Sequence, residues 1–183
     1  LNSESIKDVL RNIFNNDNMM MGFLKKQFLL AIDTESPFNS EWLTAFLFPL
    51  PNDLRHYVWT TRVSNGYYTF ALQFIRRIKR NYMTHSCSQL NLALKQLIWL
   101  LSSVNGAVRD NATKVISLIL IRKPKLIKDN LEFFKDISDL YIRERLYAAI
   151  FGAIVKIEDY QVIESTAESI YVTIFDQDEV VPN

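Results

Sequence analysis

The chain has 183 residues, about half of them apolar, which suits one domain with a sizeable core. Lys and Arg number 21 against 20 Asp and Glu, so a net charge of +1 lends no support to a nucleic-acid or membrane-surface role. Four Gly and five Pro are few for the tight turns of a β-sandwich or barrel, and the single cysteine, Cys87, excludes a disulfide framework within the chain.

A lone cysteine fits a reducing compartment. No apolar run reaches the roughly 18–20 residues of a membrane span. The opening LNSESIKDVLRNIF lacks the charged start and apolar centre of a signal peptide. The expectation is a cytoplasmic protein without membrane contact. The chain starts without Met, and it ends in FDQDEVVPN, where a further helix could begin. Residues 1–183 therefore read as a single helical-repeat domain cut from a longer protein.

Ile6, Val9, Leu10 and Ile13 have helical spacing, and Asn15, Asn16, Asp17 and Asn18 break that helix. A second helix is expected over 19–32, with Met20, Phe23, Leu24 and Phe28 on one stripe. Asn39 or Ser40 can cap a short helix through Trp42, Leu43, Phe46 and Leu47, which Pro49 and Pro51 end. Another short helix spans 53–63 and stops near Ser64, Asn65 and Gly66. Tyr68, Ala71, Leu72, Ile75 and Ile78 mark the next buried stripe, and Leu90, Leu94, Leu97, Ile98 and Leu101 the one after it. Pro124 suits the first turn of a helix carrying Leu126, Ile127, Leu131 and Phe134, and a last helix runs over 160–174. No segment alternates cleanly as a strand would.

Two segments resemble each other. VNGAVRDNATKVISLIL at 104–120 and SDLYIRERLYAAIFGAI at 138–154 lie 34 residues apart. In each, a polar turn leads to a β-branched residue (Val108, Ile142), an arginine (Arg109, Arg143) and an acid (Asp110, Glu144), followed by an apolar helical run. Asp139 can cap the second helix. A repeat of this length points to stacked helix pairs. The expected fold is all-α, an α-solenoid of HEAT-like antiparallel helix pairs with roughly nine or ten helices.

Catalytic motifs are absent from the sequence. It holds no Gly-rich phosphate loop and no G-x-S-x-G elbow. His56 and His85 lie far apart, and Cys87 close after His85 is a weak metal hint against strict ligand spacings. Glu35, Glu41, Asp136 and Asp139 fit turn and capping roles better than an acid–base pair. Neither catalysis, nor a cofactor, nor a metal is expected.

Arg76, Arg77, Lys79 and Arg80, with Tyr82 nearby, form one concentrated basic face. A solvated outer helix face is the preferred reading, and phosphate contact is the alternative. Arg122, Lys123, Lys125 and Lys128 cluster around Pro124, where cations also suit a helix end. Arg109, Asp110, Asp139, Arg143, Glu144 and Arg145 belong to the repeat. Stacking would bring equivalent helices side by side, so a ladder is expected in which Asp110 or Asp139 pairs with Arg143 or Arg109. That ladder is preferred to unpartnered surface charge.

The stretches RDNATK and DLYIRERLYAAIFGA resemble the helical-repeat region of large bacterial STAND-type NTPases, the antiviral AVAST-like defence proteins. Arg109, Asp110, Ala112, Thr113 and Lys114 match an Arg-Asp-x-Ala-Thr-Lys helix start. Asp139, Tyr141, Glu144, Arg145, Leu146, Tyr147, Ala148, Ala149, Gly152 and Ala153 match a second helix, with Ile142 in place of Val. Leu50, Pro51, Asp53 and Trp59 resemble a further element of these proteins, with Asn52 where an arginine is usual. The resemblance implies a parent with an N-terminal effector, a central nucleotide-binding module and a C-terminal helical sensor for phage proteins such as terminase or portal. On this reading the segment is a non-catalytic recognition or scaffolding piece. Its partner is a phage protein or the rest of its own chain. A general HEAT-like adaptor, and nucleic-acid binding by the basic face, are the alternatives.

Overall fold

The computed structural model describes residues 16–175, and among them the fold is all-α, a nine-helix bundle without a strand. The helices are α1 (Asp17–Leu30), α2 (Ser40–Leu47), α3 (Asn52–Arg55), α4 (Tyr68–Asn81), α5 (Cys87–Trp99), α6 (Gly106–Arg122), α7 (Leu126–Phe134), α8 (Leu140–Ile154) and α9 (Tyr160–Phe175). The helix expected through Ile6, Val9, Leu10 and Ile13 lies outside the described residues.

Local chemistry starts most of these helices. Asn16, Asn39, Asn105, Asp139 and Asp159 each accept hydrogen bonds from two backbone amides at the start of the following helix. Such a cap stabilises a helix by about 1 kcal/mol. Ser86 and Gln89 form a reciprocal capping box at α5. Ser40, the other candidate for the α2 cap, is instead its first residue. It is buried, and its hydroxyl donates to the Ala31 carbonyl at 2.7 Å.

The expected helix at 53–63 departs from α geometry. After α3 the chain continues as two π-helical stretches, His56–Thr60 and Arg62–Gly66. The Thr61 amide reaches the His56 carbonyl, and the Tyr67 amide reaches Arg62. The Ser64 hydroxyl donates to the Thr60 carbonyl within this segment, a side-chain insertion of the kind that widens a helical turn. The wide turns aim Trp59, Thr60 and Ser64 inward, where Trp59 donates its indole N–H to the Trp99 carbonyl at 2.9 Å.

α5 is the centre. The expected single stripe through Leu90, Leu94, Leu97 and Ile98 underestimates its burial, because every residue from Leu92 to Trp99 is buried. α2, α6, α7 and α8 pack around it. α4 packs on α6, and α6 packs most extensively on α8, while α7 packs on α9 and α1 on α4.

Three arginines tie the carbonyl ends of earlier segments to later ones. Arg55 donates to the carbonyls of Leu47, Phe48 and Leu50. Arg77 donates to Phe28 and Leu29, in the last turn of α1. Arg122 donates to Tyr82, at the end of α4. The final carbonyls of a helix lack intrahelical donors, and a cation complements the partial negative charge there.

Candidate interaction surface

The two repeat helices lie side by side, so the charged residues read from the repeat can be placed. The Asp110 carboxylate meets the Arg145 guanidinium at 3.2 Å across the α6–α8 seam, and Arg109 beside it at 3.4 Å. The inter-repeat ion pair thus uses Arg145 where Arg143 was expected. One helical turn separates successive side chains on a face, so Arg143 and Arg145 point in different directions. Arg143 is half-buried near Tyr147. Burial raises the Tyr147 phenol above its usual range, and the Arg143 charge offsets part of that. Asp139 is the α8 cap, accepting from the Tyr141 and Ile142 amides. Glu144 is exposed.

The helices also approach closely. The Ser117 hydroxyl donates to the Ala149 carbonyl at 2.7 Å. A Cβ placed on Gly152 would meet the Ser117 oxygen at 3.3 Å, so glycine suits this close approach. The guanidinium groups of Arg109 and Arg145 both lie over the Tyr141 ring, 6.0 and 5.4 Å from its centroid.

A cleft of about 370 Å³ opens between this seam and the π-helical segment, lined by His56, Ser103, Val104, Arg109, Asp139 and Tyr141. It brings a histidine, a serine and an acid into one place, but their hydrogen bonds do not form a catalytic relay. Ser103 is buried, and its hydroxyl is engaged with Ser64 and the Asn105 amide. The Asp139 carboxylate is held by its helix start. A nucleophile needs a base within hydrogen-bond reach, and that base needs a partner that orients it.

The basic face divides in two. Arg76, Lys79 and Arg80 are exposed, whereas Arg77 turns inward to the α1 carbonyls and stacks over Phe74 at 5.5 Å. Burial lowers the Arg77 pKa. Arg122, from the second basic cluster, is likewise engaged, and Lys125 and Lys128 are exposed. Cys87 is exposed, while His85 is half-buried with its Nε2 enclosed and without a hydrogen-bond partner. Among the described residues no group of three or more His, Cys, Asp or Glu could hold a metal ion. None of the described helices is long and apolar enough to cross a membrane.

Some important residues gave no signal in the sequence. Lys95 is buried and pairs with Glu41 at 2.6 Å beneath the Phe133 ring. Glu41 therefore bridges to α5, while Asn39 supplies the α2 cap. Gln27 and Gln96, 69 residues apart, exchange two side-chain hydrogen bonds in the interior. Phe151, within the apolar run of the second repeat segment, and Val155, just after it, are 68% and 62% exposed. Tyr160 and Val172 on α9 are also exposed. Exposed apolar side chains thus recur at the α8–α9 end, and α1 carries three more in Met19, Met21 and Leu29.

No protein-family model, curated protein or solved structure matches the chain.

Proposed function

We propose that the chain is an α-solenoid segment of HEAT-like antiparallel helix pairs that serves, without catalysis of its own, in protein–protein recognition or scaffolding. The observation that carries this reading is the alternation of contacts. α1, α4, α6 and α8 follow one another in one row, and α2, α5, α7 and α9 in a second. Such a row-by-row arrangement offers extended surfaces for protein partners. The resemblance of the repeat helices supports the further reading of a segment of a bacterial STAND-type antiviral defence ATPase in the cytoplasm, with a phage protein or another part of the same polypeptide as its proposed partner. The three cations left exposed on α4 are a sparse patch for phosphates, so protein recognition is the better-supported use of the surface.

Native-state hydrogen exchange tests the architecture. In a stacked array, Leu146→Ala should speed exchange in α8 and α9 while α1 and α2 keep their protection. A uniform loss across all helices would sink the solenoid reading. Titration against purified phage terminase and portal proteins tests the defence assignment. Binding to none of them would remove the phage-sensor form of the proposal, and ATP hydrolysis by the chain above background would overturn its non-catalytic role.

A further inference from the structure

The two repeat helices share a three-dimensional register. The residues of α6 buried in the core include Val108, Ala112, Val115, Ile116 and Ile119. Moved on by 34 positions, they become Ile142, Leu146, Ala149, Ile150 and Ala153, which are the buried residues of α8. The sequence offset is therefore a structural one, and it applies to the rest of each helix. α6 receives α8 through Asp110 and Ser117, which meet Arg145, Ala149 and Gly152, and Thr113 falls between them at helical spacing on the same face. The same shift carries this receiving face to Glu144, Tyr147 and Phe151, and carries the partly buried Ile121 to Val155.

On α6 Thr113 and Ser117 are partly buried, and Asp110 stays about half exposed. On α8 Tyr147 is likewise partly buried against the core, but Phe151 and Val155 are more exposed than not, and Glu144 is exposed at the start of the face. The face is thus apolar through its middle and far end and acidic at the near end. It continues the established α6–α8 interface by one step.

We propose that the outward face of α8, formed by Glu144, Tyr147, Phe151 and Val155, docks an amphipathic helix of a partner protein. That helix carries a Lys or Arg to meet Glu144, as Arg145 meets Asp110. It carries small residues opposite Phe151, because the bulk that Ser117 lacks is supplied here by the receiving side. This is recognition of a helix by its apolar stripe, with one charge pair setting register. The proposal rests on the stacked-repeat reading and specifies the partner's chemistry.

A labelled peptide of residues 138–157 is the probe, since it carries Arg145, Ala149 and Gly152 in the required spacing. Its fluorescence anisotropy is followed as the full chain is added. Saturable binding is expected, and Phe151→Glu or Glu144→Arg in the protein should weaken it at least about tenfold. A peptide with Arg145→Glu should recover affinity for the Glu144→Arg protein. Both protein positions are exposed, so unchanged thermal melts should accompany these variants. No binding by the wild-type chain overturns the proposal. So does binding that survives Phe151→Glu but is lost in Asp110→Arg, which would mean that the peptide had displaced α8 from α6. A wild-type dimer that Phe151→Glu splits would assign the face to a second copy and also overturn it. The exchange experiment on Leu146→Ala reads the stacking without any peptide, so failure of the docking face and failure of the solenoid are told apart.

Discussion

The α6–α8 seam and the surroundings of α5 are held by different means. At the seam, two helices start with Asx caps, approach through Ser117 and Gly152, and exchange one exposed ion pair. Around α5, polar groups are buried and answered by distant partners. Gln96 meets Gln27 and Ser40, Lys95 meets Glu41, Trp99 meets Thr44, and Thr60 meets Ser102. Exposed pairs contribute little because water screens and competes for them. Buried polar groups cost much when left unanswered, so the α5 network makes the fold specific at the risk of large losses. The seam can then vary with little effect on stability.

The largest effect is expected at Arg55, which is 2% exposed and whose pKa is lowered, first by burial, with Asp139 opposing. Arg55→Ala would leave the Phe48 and Leu50 carbonyls without this donor and remove the guanidinium stacked over Trp99 at 5.5 Å. Two stranded acceptors and lost packing should cost about 3–5 kcal/mol. Urea unfolding checks this. Lysine should rescue poorly, since one ammonium cannot reproduce the forked donors. A loss under 1 kcal/mol would erase the proposed contrast between centre and seam.

Gln96→Leu comes next. It strands the Gln27 amide, for about 1–3 kcal/mol, while the Ser40 hydroxyl keeps the Ala31 carbonyl as its acceptor. Gln27→Leu combined with Gln96→Leu should be less damaging than Gln96→Leu alone, because no amide remains unpaired. A double variant as unstable as the sum of the two singles would show that the pair is not the origin of the cost.

At the seam the expected effect is small. Asp110 is about half exposed, and Arg145 is 30% exposed. A double-mutant cycle with Asp110→Ala and Arg145→Ala should give a coupling of about 0.2–1 kcal/mol, reduced by added salt. A coupling above 2 kcal/mol would place the seam in the same energetic class as the centre.

This ordering explains what the sequence reveals. Most of the helices, the Asp139 cap and the α2 cap as one of two candidates, Asn39 or Ser40, were legible, because each depends on residues within a turn or two of one another. The Asp110 ion pair was legible only in kind: the stacking named an acid and an arginine, while the side-chain direction that selects Arg145 over Arg143 depends on helix rotation. The partners of Gln96 and Lys95 lie more than fifty residues away, so no local pattern marks them. The π-helical turns left no cue stronger than Ser64 near a glycine. The exposure of Phe151 was not legible, because an exposed apolar face and a buried one share the same spacing.

The smallest effect is expected at His85, which stands beside two of the arginines that tie helix ends. Burial lowers its pKa below the ordinary 6.5, the nearby Arg77 and Arg122 charges lower it further, and Gln89 partly opposes them. The folded state therefore favours the neutral ring, and between the two pKa values the unfolded chain binds more protons. Stability from this group is fully present above about pH 6.5 and is lost as pH falls from there through the lower folded value. The Tm of the wild type should fall by about 2 °C more than that of His85→Gln between pH 7.5 and 5.5. Equal slopes would mean that His85 keeps its proton equilibrium on folding. A steeper slope in the variant would reverse the sign and require an acid near the ring, where the structure places Arg77 and Arg122.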